Sequence, residues 1–156
     1  MNRKVFTLCF PTDGDRVLLG MKKKGFGAGR WNGFGGKVEE GEELLNAVCR
    51  ELFEECGLSA SRDSLREVGV VDFEFEKDPG NILEVHIFAT DTFTGEPKES
   101  DEMRPEWHEF DEVPFSQMWP DDIYWFPLMR EGKKFKGYFL FGENDTVLKQ
   151  ELSEIA

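Results

Sequence analysis

Apolar positions recur at two spacings along this chain, and the change of spacing marks its elements. Across residues 43–56, Leu45, Val48, Cys49, Leu52 and Cys56 repeat at helical intervals and predict an α-helix with one core face. Gly57 is expected to stop it, because glycine takes the left-handed C′ conformation at little cost. Glu51, Glu54 and Glu55 lie beside that face, and Leu44 and Ala47 fall near the acidic side. Short β-rich apolar runs predict strands at 5–10, 16–21, 68–75, 82–90, 106–110 and 137–141. The first two read as a hairpin around the turn PTDGD at 11–15. The sequence EKDPGN separates 68–75 from 82–90 with a second turn. A second helix should begin near Asp121 and Asp122, since acidic residues suit a first helical turn. Pro127 then predicts a kink or a late start. Residues 146–155 fit either a strand or a helix.

Composition narrows the function classes. A chain of 156 residues with 15 Phe, 4 Trp and 2 Tyr can bury a real core within one domain. The 32 acidic and 19 basic residues give a net charge of −13, which opposes nucleic-acid polymers and anionic membranes. The same field repels a nucleoside triphosphate unless metal ions intervene. Cys9, Cys49 and Cys56 are odd in number and lack zinc-site spacing, so they read as free core thiols in a reducing compartment. With no signal region and no membrane-spanning apolar run, the expected location is the cytoplasm, minor mitochondrial and nuclear pools being left open.

The candidate chemistry gathers on the acidic helix. Glutamates at i, i+3 and i+4 share one helix face and repel each other, and they oppose the macrodipole in the last turn. A hard divalent cation, Mg²⁺ or Mn²⁺, would compensate them. The glycine–aromatic stretch GFGAGRWNGFGG at 25–36 reads as a loop and a short strand carrying backbone carbonyls towards that cation. It is not a phosphate-cradling P-loop, because Lys37 is followed by neither Ser nor Thr. No Ser, Cys or His sits in an evident nucleophilic triad, so attack by metal-activated water is the economical mechanism. Glu54, Glu55 and Glu102 are its candidate bases. Trp119 offers a stacking face, Asn32 both a donor and an acceptor, and Asp121 and Asp122 two adjacent carboxyls. Plain structural alternatives stand beside these: a solvated acidic helix, a charged loop at 101–102, helix capping by the aspartates, and a surface threonine at Thr7. His86 reads as structural.

Gly36, five residues, Glu42, seven residues and then Arg50-Glu51-Leu52-Phe53-Glu54-Glu55-Cys56-Gly57-Leu58 resembles the complete signature of the Nudix family. GFGAGRWNGFGGKV ahead of it, VHIF in the middle, and SDEMRP and MWPDDIYWFP after it extend the resemblance over nearly the whole chain. These flanking segments are similar to the branch of the family that acts on oxidised purine nucleoside triphosphates.

The resemblance implies an α/β (α+β) fold, a mixed β-sheet sandwiched between α-helices, with residues 1–156 forming a single domain. It implies Mg²⁺-dependent hydrolysis of 8-oxo-dGTP, 2-oxo-dATP and O6-methyl-dGTP to the monophosphate and pyrophosphate. By the same resemblance Gly36, Glu51, Glu54, Glu55 and Glu102 hold the metal, and the four glutamates are catalytic. Thr7, Lys22, Asn32, Phe34, Gly35, Gly36 and Lys37, with Trp119, Pro120, Asp121 and Asp122, would contact the nucleotide. Phe26, Phe73, Leu83 and Met103 would line the base pocket. The implied partner is a small molecule and the implied state a monomer. Two alternatives stay open: a Nudix hydrolase of another nucleoside-diphosphate-linked substrate, and a Nudix-fold binding module without catalysis.

Overall fold

The computed structural model describes residues 2–155. Its elements in chain order are β1 (Asn2–Asp13), β2 (Arg16–Lys22), β3 (Trp31–Asn32), α1 (Leu44–Cys56), β4 (Arg66–Phe75), β5 (Asn81–Thr90), β6 (Met103–Glu109), α2 (Asp122–Arg130), β7 (Lys134–Phe141) and β8 (Val147–Ile155). The strands pair in the order β3-β2-β1-β5-β4-β7-β8, and β6 joins β2. β1 runs parallel to β5 and β4 parallel to β7, while β4–β5 and β7–β8 are antiparallel. The sheet is therefore mixed.

Side-chain alternation gives the sheet two apolar faces. Phe10 and Ile87 point to one side, where they join Trp125 and Phe126 of α2 with Phe135 and Phe139. Their neighbours Cys9 and Phe88 point to the other, where they meet Val48, Leu52 and Cys56 of α1. Full burial of each large apolar side chain contributes about 1.5–3 kcal/mol, so both helices are held by packing rather than by propensity. Cys9, Cys49 and Cys56 are all free thiols; Cys9 and Cys56 are buried and Cys49 is half-buried. Among the described residues, no helix is long and apolar enough to cross a membrane.

Several expectations need correcting. The hairpin of the first two strands is only two pairs long, Thr12↔Val17 and Asp13↔Arg16. β2 instead pairs along its length with β6, from Arg16↔Glu109 to Lys22↔Met103. The cause is competition for β1: β5 takes one edge through Pro11↔Thr90, and the glycine segment takes the other. On that second edge Cys9 and Phe34 exchange backbone bonds, and Gly36 accepts from Thr7. The buried face of α1 is Ala47, Val48, Leu52, Glu55 and Cys56, with Leu45 and Cys49 only half-buried. The core face is thus rotated towards Ala47, and a glutamate lies within it. α2 runs through Pro127, whose missing N–H falls on the exposed side of the helix near Ile123. Residues 147–155 form a strand, β8.

Candidate active site

The approach of the glycine segment to β1 builds the acidic end of the site. A Cβ on Gly35 would lie 1.8 Å from the Thr7 carbonyl oxygen, so only glycine allows this pairing. The close fit brings the Gly35 N–H to the Glu55 carboxylate at 2.9 Å. It also lays Gly36 against Glu51: a Cβ there would stand 2.8 Å from that carboxylate. Arg50 binds Glu42 at 2.7 and 3.0 Å, Glu51 at 2.8 Å and Glu54 at 3.3 Å. This guanidinium lets two like-charged carboxylates share a helix face and ties the acidic loop to the helix. The role of Arg50 escaped sequence reasoning, although its place in the signature could have flagged it.

The four glutamates differ in setting. Glu55 is buried, and burial pushes its carboxyl up to about 7, against the pull of the Gly35 N–H and Lys22. Burial also raises Glu51, opposed by Arg50 and reinforced by the charges of Glu54 and Glu102. Glu54 is exposed. Glu102 lies on the exposed loop before β6, 3.5 Å from the Lys22 ammonium. Among the described residues, no three carboxylate, imidazole or thiol groups converge as a ready cation cluster. Repulsion explains this: Glu51 and Glu54 turn to Arg50, Glu55 to Gly35 and Glu102 to Lys22. The residues still fit a hard divalent ion, since their donors are all oxygen and their charges raise each other's proton affinity.

A cavity of about 270 Å³ opens from this acidic end into the sheet. Glu55, Gly36, Gly35 and Lys22 line it towards the helix, and Thr7 and Asn32 line its edge. Its apolar walls include Phe73 of β4, Leu83 of β5, Met103 and Trp119, with Phe26 also contributing. Phe26 is 68% exposed, with its ring 5.2 Å from that of Trp119. Asp121 and Asp122 line the cavity beside Trp125. Sequence reasoning missed Val85 and Ile87, although the period-two alternation from Leu83 predicts both. It also missed Phe75 and Phe141, which meet through the β4–β7 pairing.

Six expected site residues do not line the cavity. Phe34 is fully buried on the α1 side, because it pairs with Cys9 and cross-strand neighbours share a face. Lys37 is exposed, bridged to Phe6 by backbone. Pro120 does not line the cavity; it links Trp119 to Asp121. Glu51, Glu54 and Glu102 also stand outside the lining.

Unpartnered polar atoms define what the cavity can take. Thr7 Oγ1, Asp121 Oδ1 and Asp122 Oδ2 are buried with no hydrogen-bond partner among the described residues. Asp121 Oδ2 accepts from the Trp125 indole N–H at 2.7 Å. Asn32 Oδ1 accepts from the Gly33 N–H at 2.8 Å, which leaves its Nδ2 as a donor for a ligand. Burial raises Asp121 to about 6, against the Trp125 N–H and the Arg30 charge. Burial and the Asp121 charge raise Asp122 well above the usual carboxylate range. Burial and mutual repulsion favour a proton held by the pair, and the Trp125 N–H favours the charge on Asp121.

This has a pH signature. Both folded values exceed the ordinary 3.8, so the folded protein holds protons that the unfolded chain has already released. The stability from these groups is complete below pH 3.8 and is lost as pH rises through about 6 and beyond. Asp122→Asn should therefore gain in thermal midpoint over the wild type as pH rises from 3.8 through about 6 and beyond. A gap that does not vary with pH would overturn the assignment.

A mixed sheet whose cavity meets a glycine loop and an acidic helix is the arrangement that the signature at Gly36–Leu58 serves. Residues 1–129 match the NUDIX domain, and the chain belongs to the Nudix family of hydrolases, enzymes that generally use a divalent metal. More particularly, it is 53% identical over 152 residues to the oxidized purine nucleoside triphosphate hydrolase of Mus musculus, spanning 97% of this chain and 96% of that protein. The protein of the same name from Danio rerio is likewise 53% identical over the same shares. The crystal structure of a MutT protein from Bacillus halodurans matches with a TM-score of 0.84 at 28% identity, covering 96% of this chain and 97% of that one.

Proposed function

We propose that this chain hydrolyses oxidised purine nucleoside triphosphates to the monophosphate and pyrophosphate, with Mg²⁺ as its metal. The observation that carries the reading is the set of buried, unpartnered atoms, Thr7 Oγ1, Asp121 Oδ1 and Asp122 Oδ2, in an aromatic-walled cavity that reaches Glu55. A flat heterocycle with several donor and acceptor edges satisfies such a cavity, because each buried polar atom left unpaired costs about 1–3 kcal/mol. The names of the mouse and zebrafish relatives support the same substrate class.

In this reading Trp119 stacks on the base, Asn32 Nδ2 donates to it, and the Asp121–Asp122 pair presents one acceptor and one donor. Exchanging the proton between the two carboxyls would suit purines oxidised at different positions. Glu51, Glu54, Glu55 and Glu102, with the Gly36 carbonyl, would hold the metal. When bound, the ion neutralises phosphate charge and lowers the pKa of the attacking water. Lys22 lines the cavity beside Glu102 and would face the phosphates. Residues 1–156 act as one domain in this reading, since Phe141, beyond the matched 1–129, helps to wall the cavity.

Pyrophosphate release should be compared for 8-oxo-dGTP, 2-oxo-dATP, O6-methyl-dGTP, dGTP and a dinucleoside polyphosphate, with and without Mg²⁺. The oxidised purines are expected to lead. A preference for ordinary dGTP would sink the reading, and a preference for the dinucleoside polyphosphate would replace it.

A further inference from the structure

Arg30 is outside the cavity lining, yet it touches the residue on which base recognition depends. Its guanidinium carbon stands 4.2 Å from the centroid of the Trp119 ring. Trp119 lines the cavity and Arg30 does not, so the guanidinium packs on the indole from outside the lining. The same guanidinium donates to Asp145 at 2.8 Å, with both side chains only about a third exposed or less, at 27% and 32%.

Both anchors of this arrangement are fixed by backbone. The Arg30 carbonyl accepts from the Lys22 N–H at 3.0 Å, which ties it to the end of β2. Asp145 closes the turn between β7 and β8, where Asn144 and Asp145 both have left-handed backbones at φ 57° and 58°. This is the backbone of a two-residue hairpin turn, which Asn and Asp suit, and the Thr146 N–H closes it on the Glu143 carbonyl at 3.3 Å. The Asp145 N–H also donates to the Gly142 carbonyl at 3.1 Å, and the Gly142 N–H to the Thr146 carbonyl at 2.8 Å. The hairpin turn thus holds the Asp145 carboxylate in place against Arg30.

We propose that Arg30, braced by Asp145, is a positioning residue that clamps Trp119 and sets its stacking geometry for the base. The inference rests on the reading of Trp119 as the stacking platform. A planar guanidinium suits this role because it stacks on an aromatic face while its edge binds a carboxylate. Its positive charge also reaches Asp121 and Asp122 and favours their ionised forms.

Arg30→Gln should raise KM for 8-oxo-dGTP about tenfold and leave kcat within about twofold, because Arg30 acts on Trp119 and the aspartate pair and not on the glutamates. Asp145→Asn should raise KM in the same direction, and the double variant should be no worse than Arg30→Gln alone. Arg30→Lys keeps the charge without the planar fork and should recover less than half of the loss. Tryptophan emission gives a readout independent of substrate. Arg30→Gln should shift it in the wild-type background and not in Trp119→Phe. An unchanged KM, a fall confined to kcat, full recovery by lysine, or a shift that survives in Trp119→Phe would each overturn the clamp. If Arg30→Gln does not fold, Asp145→Asn, at a surface turn, carries the same test. If no oxidised purine is turned over even by the wild type, the substrate reading fails, and the emission result still decides the clamp.

Discussion

Glu55→Gln is expected to lower kcat by about 10³-fold while leaving the protein folded, because the charge at this position serves the chemistry and not the fold. Glu55 is only 5% exposed and accepts the Gly35 N–H at 2.9 Å. Glutamine has nearly the same volume, and its amide oxygen can accept the same bond. Burial already penalises the ionised carboxylate, so a neutral amide relieves that cost. The thermal midpoint should therefore be no lower than that of the wild type. What the variant loses is one negative oxygen donor for a hard cation and one candidate proton acceptor. Glu54→Gln should lose turnover as well, for it is exposed and bonded only to Arg50. Steady-state turnover at saturating Mg²⁺, read beside thermal melting, checks both. Turnover retained by the two folded variants would refute metal-assisted hydrolysis through these glutamates.

Asp121→Asn and Asp122→Asn should each cut kcat/KM for 8-oxo-dGTP by about 10²-fold, equivalent to about 3 kcal/mol. In Asp121→Asn the amide oxygen can keep the Trp125 N–H, which Asp121 Oδ2 now accepts at 2.7 Å. Its Nδ2 then presents a donor where the unpartnered Oδ1 offered an acceptor. The edge offered to the base is inverted and a buried donor faces a donor. Asp122→Asn keeps one donor and one acceptor but cannot exchange a proton with Asp121. Its loss should therefore differ between 8-oxo-dGTP and 2-oxo-dATP. Kinetics with both nucleotides measure this; unchanged affinity for both in the two variants would remove the carboxyl pair from base recognition.

The acidic helix was the most legible part of the chain. Its spacing predicted residues 43–56, and α1 spans Leu44–Cys56. Gly57 stops it at φ 77°, with its N–H on the Phe53 carbonyl at 2.9 Å. Capping and periodicity are short-range effects, so the sequence suffices for them. The hairpin was misread because PTDGD is a real turn signal whose strands had stronger partners elsewhere. Local turn chemistry cannot reveal that β5, about 80 residues away, pairs with β1 from Asn2↔Asn81 onward. The core face of α1 was misjudged for a related reason. Glu55 is buried because Gly35 donates to it, and that contact exists only once the glycine segment has zipped onto β1.

The sequence by itself determined the signature from Gly36 to Leu58, the helix that carries its glutamates, and the residue types suited to metal and purine chemistry. Those features depend on spacing within a few turns of chain. Only the tertiary structure decided that Thr7, Asn32, Trp119, Asp121 and Asp122 share one cavity, that Phe34 does not, and that Arg30 packs on Trp119. The physical reason is register. Strand pairing between distant segments sets which face each side chain occupies, and a shift of one residue would exchange cavity wall for core.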